Sequence, residues 1–205
     1  MAASARFRAL RARVADLELR LIPKTKVSGR YTAQERDLLR AFRLLVHAEF
    51  EAYFEDCVTD IADRALRAFA TRNRAGRALA ALMTYSPVAT PALPKNLAST
   101  APNDNPRARV SQVVGHFKAE VNQGNHGIKE RNVIRMCFPV GIEPADLDPT
   151  FMNTLNSYGA SRGATAHQSF KAQQPIDPVT EVAVVSGLVT ELEKLDAKLQ
   201  ILKKV

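Results

Sequence analysis

The chain lacks tryptophan, has two cysteines, and contains no apolar run near the ~20 residues that a membrane-spanning helix needs. The last absence excludes a conventional membrane-spanning helix, and no membrane partner is expected. Cys57 and Cys137 both sit in helix-like segments, which fits reduced thiols and a cytoplasmic setting better than a disulfide scaffold. The opening MAASARFRALRARV is basic but has no apolar core of a secretory signal. It is Arg-rich and acid-poor, like a transit peptide. Asp16 and Glu18 soon follow in a helical pattern, however, so it reads as a structural helix. Strand signals are also missing: there is no sustained period-two alternation and no Asn-Gly or Asp-Gly hairpin between apolar runs. GxxxxGK[ST], GxGxxG after a strand, CxxC and HExxH are all absent. Four histidines and two cysteines are too scattered for a structural zinc site, so neither metal nor cofactor is expected.

What is present is positive charge and helical periodicity. The formal net charge is +8 over 205 residues. Residues 1–77 carry 16 basic and 10 acidic side chains, so most of the excess lies in that part. A basic half points to a polyanion, RNA or DNA first. A soluble basic surface is the plainer alternative. A chain of this length suits one domain with a sizeable core.

Phe7, Leu10, Val14, Leu17 and Leu21 make one apolar stripe over 5–21, ended by Pro23 and Gly29. Residues 1–30 therefore read as an N-terminal helical arm. Thr32-Ala33-Gln34-Glu35 is a capping box. From it a helical pattern runs to about Ala70, with no Pro or Gly over 31–75, and reads as the spine of the fold. A short helix over about 74–84 follows. Residues 85–106 hold five prolines and read as an insertion within the domain. Helices are expected again at 107–121 and 128–138, separated by the polar turn 122–127. Asp148-Pro149 and Asp177-Pro178 are two further helix starts.

One stretch, Asn156 to Phe170, reads NSYGASRGATAHQSF. Arg162 and His167 stand five apart among small residues. On one straight helix they would point about 140° apart. A bend near Gly163 would bring both into one cleft. Arginine offers a permanent charge and a fork suited to phosphate, and histidine moves protons near neutral pH. Together they suit RNA cleavage.

Arg162-Gly-Ala-Thr-Ala-His167 resembles the R-x(4–6)-H motif of the HEPN superfamily of all-helical ribonucleases. The phrase from Leu44 to Asp56, with Glu51 and Tyr53 in an "E-x-Y" setting, is similar to that family's first core helix. The phrase from Ile128 to Ile142 looks like the segment before the motif helix in stand-alone bacterial members of the RiboL-PSP type. The resemblance covers roughly residues 32–202. It departs at Gly163, where active members often carry a polar residue, and noncatalytic members exist. It implies an all-α antiparallel bundle as a single domain over 1–205, with the arm, the insertion and a motif segment at 148–172. It implies a homodimer with two Arg/His pairs lining one cleft. The implied activity is metal-independent RNA cleavage that leaves a 2′,3′-cyclic phosphate. The implied setting is a toxin–antitoxin pair or antiviral defence, with an antitoxin or defence-system partner protein.

On this reading His167 transfers protons, Arg162 stabilises the phosphate and Glu51 orients one of them, with Glu49 as the fallback acid. Arg43, His47 and Glu51 share a helix face. For His47 the plainer reading, an exposed helix pair of small stabilising effect, is preferred, though Arg43 and His47 stay candidate RNA contacts. Arg64 and Arg67 open a basic run that either binds phosphates or is a solvated face. Tyr158 is core, with a hydroxyl that could line the cleft. His116 and His126 read as surface histidines, and Asn125 and His126 as marginal RNA contacts. The competing class is a noncatalytic HEPN-like module that binds protein or nucleic acid, in which Arg162 and His167 face apart or pack into the core.

Overall fold

A computed structural model describes residues 2–89, 92–93, 95–96, 105–167 and 174–204, with the backbone only of His167. The described residues contain seven α-helices and no strand: α1 (Ala5–Leu21), α2 (Ala33–Arg72), α3 (Arg77–Tyr85), α4 (Pro106–Gly124), α5 (Glu130–Cys137), α6 (Pro149–His167) and α7 (Pro178–Leu202). Two short 3₁₀ turns, Phe138–Val140 and Pro144–Asp146, link α5 to α6. The fold is all-α, as expected.

Local chemistry sets the helix ends. The Thr32 hydroxyl accepts from Glu35 N at 3.2 Å, and the Glu35 carboxylate accepts from Thr32 N at 2.7 Å. Asn73, in the left-handed region at φ 52°, ends α2. Asp177 caps α7, with Pro178 at its first position. Forty residues without a breaker make α2 a rod of about 60 Å. All six other helices pack on it. Phe42, Phe50, Phe54 and Ile61 of α2 are fully buried and form the middle of the core. Leu188, Leu192, Leu195 and Leu199 of α7 and Val110, Val113 and Val114 of α4 join the same cluster.

The N-terminal helix packs along the bundle. Phe7 is 0% exposed, and Leu10, Val14 and Leu17 are buried along α2. Its anchor is Asp196 of α7, itself 1% exposed. That carboxylate accepts from Ser4 N at 2.8 Å, Ser4 Oγ at 2.7 Å and Tyr53 Oη at 2.9 Å. Three donors from α1 and α2 therefore converge on one buried acid. This is why α1 docks in a fixed register rather than sliding along an apolar groove.

Both cysteines are free and buried. Burial pushes the Cys57 thiol up to about 11 and raises Cys137 as well, so both stay protonated and unreactive. In the expected insertion, α3 ends at Tyr85 and α4 begins at Pro106. Residues 90, 91, 94 and 97–104 of it lie outside the described residues. Among the described residues no helix is long and apolar enough to cross a membrane.

Asp196→Ala strands three donors in the core and removes the tie between both ends of the chain. It should lower unfolding stability by roughly 3 kcal/mol in urea titration. It should also speed proteolysis of the 22–32 connector more than Ser4→Ala does.

Candidate active site between α2 and α6

Residues 43, 47, 51 and 55 recur every four positions and so share one face of α2. Tyr158, Arg162 and Thr165 of α6 meet that face, and the loop after α4 closes one end. Gly159 permits the approach of α6 to the start of α5: a Cβ there would stand 3.1 Å from Lys129 Cγ.

At one end Arg43 pairs with Glu181 of α7. Arg43 Nε donates to Glu181 Oε1 at 2.9 Å, and Nη2 donates to Oε2. Nη1 reaches Thr165 Oγ1 at 3.5 Å. Glu181 is 5% exposed. Burial works against the Arg43 charge, but the hydrogen bond and attraction of Glu181 outweigh it, and its pKa is raised. The Tyr158 hydroxyl donates to the Arg43 carbonyl at 3.3 Å. α2, α6 and α7 are thus joined by polar contacts at this point.

In the middle stands His47, 1% exposed, its ring lying 6.5 Å from that of Tyr158 at an interplanar angle of 23°. Its Nδ1 is buried without a hydrogen-bond partner, 3.8 Å from Glu51 Oε2. Burial, and then the charge of Arg162, lower its pKa to about 4, so the imidazole is neutral near pH 7. Arg162 Nε is likewise buried without a hydrogen-bond partner, and its guanidinium has no ion pair among the described residues.

At the other end Glu51 is half-buried. Burial raises its carboxyl pKa and Glu55 adds to this, against the Gly127 N–H, Arg162 and His126. Gly127 holds φ at +130°, which glycine adopts without strain, and so directs its N–H to Glu51. Asn125 Nδ2 donates to Glu55 Oε1 at 2.8 Å and approaches Glu51 Oε1 at 3.4 Å. Asn132 Nδ2 in turn holds Asn125 Oδ1 at 2.9 Å.

The arrangement sets an unpaired guanidinium beside a carboxylate of raised pKa and a neutral imidazole. Such a set can hold an anion and orient a neighbouring proton carrier. Of the candidates read from the sequence, Arg162, Glu51, Arg43, His47 and Tyr158 come together. The His167 side chain lies outside the described residues. The helix continues unbroken through Gly159 and Gly163. His47 is not the exposed helix pair expected of it: Tyr158 and α6 bury it. Glu49 turns to α1, where Arg13 Nε meets its carboxylate at 3.1 Å. Arg64 and Arg67 are exposed and begin about 20 Å further along α2. Arg64 is paired with Asp60 at 3.0 Å.

Sequence reasoning missed Glu181, Thr165 and Gly127, and undervalued Asn125. Glu181 carried a signal, because it lies four before Val185 on the apolar stripe of α7. An acid in a buried stripe needs a buried cation. Asn125 and Gly127 carried none beyond a polar turn. Comparison with known proteins found no matching family model, no similar curated protein and no similar solved structure.

The buried imidazole has a signature in stability. Above pH 6.5 His47 is neutral folded and unfolded. Between 6.5 and about 4 only the unfolded chain takes the proton, so stability falls as pH falls through that window. The full loss is roughly 3 kcal/mol. Glu51 acts with the opposite sign, because its raised pKa relieves the folded state as it protonates. His47→Phe should flatten the pH dependence between 6.5 and 4 without changing the Glu51 contribution, measured by urea unfolding at each pH.

Proposed function

We propose that the chain is a metal-independent endoribonuclease of the HEPN type. The observation that carries this reading is the position of Arg162, the motif arginine. Its guanidinium has no ion pair among the described residues and stands in the seam where Glu51 and His47 face α6. The net charge of +8 favours a polyanionic substrate.

In the proposed reaction the 2′-hydroxyl oxygen of one nucleotide attacks the adjacent phosphorus. The O2′–P bond forms and the P–O5′ bond breaks. The 2′-hydroxyl loses its proton and the leaving 5′-oxygen gains one, giving a 2′,3′-cyclic phosphate and a 5′-hydroxyl. Arg162 stabilises the charge of the phosphorane. His167 carries the proton. Glu51 is a positioning residue for this pair, itself held by Gly127 N–H and Asn125. His47, neutral and walled in by Tyr158, keeps the α2 face free of a second positive charge beside Arg162. The same reading makes the protein a cytoplasmic homodimer that acts as a toxin or antiviral-defence effector, controlled by an antitoxin or defence-system partner.

A second reading is a noncatalytic HEPN-like binding module. The absence of a helix break at Gly163 in α6 favours it. In a homodimer the cleft would instead combine Arg162 of one copy with His167 of the other.

RNA cleavage in EDTA separates the two. Wild type should cut RNA and leave cyclic phosphate. Arg162→Ala should lose about 10²–10³-fold in rate, and His167→Ala about 10²–10⁴-fold. Folded wild type that leaves several RNAs intact would contradict the ribonuclease reading.

A further inference from the structure

A second concavity adjoins this site. It lies between α3, α4 and α5 and has a volume of about 340 Å³. Its floor is apolar: Leu82, Val113 and Met136 are almost wholly buried. One wall is aromatic, with the rings of Tyr85 and Phe138 6.3 Å apart at 49°. Tyr85 is 55% exposed, an unusual outlay of aromatic surface beside an open cavity. Its polar end is the carboxamide pair Asn125 and Asn132. Asn132 Nδ2 is spent on Asn125, whereas Asn132 Oδ1 accepts nothing from the described residues.

Asn125 belongs to both places. It lines the cavity and donates to Glu55 and towards Glu51. A ligand seated in the cavity therefore lies one side chain from the carboxylate beside Arg162. The rim charges Glu120 and Arg135 neutralise each other at 3.0 Å, so the cavity does not select a charged group. Flat apolar walls, a neutral rim and an amide acceptor at one end suit a planar heterocycle with hydrogen-bonding edges. A single unstacked nucleobase has those features, and single-stranded RNA is commonly read by stacking on aromatic side chains.

We propose that this cavity is a nucleobase pocket. It takes one base of the RNA strand whose phosphate lies at Arg162, stacking it on Tyr85 beside the tilted Phe138 ring, with its edge towards Asn132. This rests on the ribonuclease reading for the source of the base, but not for the chemistry of the pocket. Occupancy also presses on Asn125, which makes Asn125 the link between base recognition and the position of Glu51.

The test uses a short RNA carrying 2-aminopurine and 2′-O-methyl groups, so that it cannot be cut. Stacking quenches the fluorescence of this base, and anisotropy reports binding of the whole strand. Wild type and Arg162→Ala should both quench it saturably. Tyr85→Ala and Asn132→Ala should weaken the quenched complex, Tyr85→Ala by at least about fivefold, with circular dichroism unchanged. Tyr85 is largely solvent-facing, so its loss spares the core. Binding without quenching, or quenching indifferent to both substitutions, would overturn the pocket and leave the ribonuclease reading standing. Absence of any binding would also overturn the pocket, with cleavage in EDTA still deciding the enzyme. Quenching that depends on Tyr85 in a protein that never cuts RNA would uphold the pocket and overturn the enzyme.

Discussion

Everything in this molecule depends on residues 33–72 forming one uninterrupted helix. Each of the other six helices packs on α2, so its continuity sets their mutual positions. The requirement is met locally, by a capping box at Thr32, by the absence of Pro and Gly throughout, and by a left-handed stop at Asn73. Its faces are then divided. One meets α1 and α7 through Tyr53 and the aromatic core, and another carries Arg43, His47, Glu51 and Glu55 towards α6 and the loop after α4. A glycine in α2 would cost about 1 kcal/mol in propensity, and a bend would also shift the two ends of the site relative to each other.

Two buried carboxylates then tie the ends of the chain to this rod. Asp196 collects donors from Ser4 and Tyr53, and Glu181 accepts the fork of Arg43. Such pairs add little net stability over apolar packing, but breaking one is costly, so they select a single register. Apolar stripes alone would let α1 and α7 slide by a turn along α2. The Arg43–Glu181 pair also occupies one guanidinium, and Arg162 is a positive charge felt by both His47 and Glu51. The site is therefore a consequence of how the bundle is pinned.

The helices were legible because their ends are written in short-range chemistry: Thr32 to Glu35, Asp148-Pro149 and Asp177-Pro178 each act over three or four residues. The shared face of Arg43, His47 and Glu51 was legible from helical spacing. Two things were not. The docking of α1 depends on Asp196, 192 residues from Ser4. The burial of His47 depends on Tyr158, over a hundred residues away on α6. No local pattern specifies which helix covers a given face. Gly163 misled for a different reason: a glycine in a helix marks a weak point, yet α6 has enough contacts with α2, α5 and α7 to continue through it.

Arg162 of α6 and Glu51 of α2 form one electrostatic site. Carbon-13 titration of the Glu51 carboxyl tests it directly, in wild type and in Arg162→Met. Burial and Glu55 raise this pKa while Arg162 lowers it. Removal of the guanidinium should therefore move the Glu51 midpoint further up, in a protein that remains folded. A midpoint indifferent to Arg162→Met would mean that the two residues do not share a site.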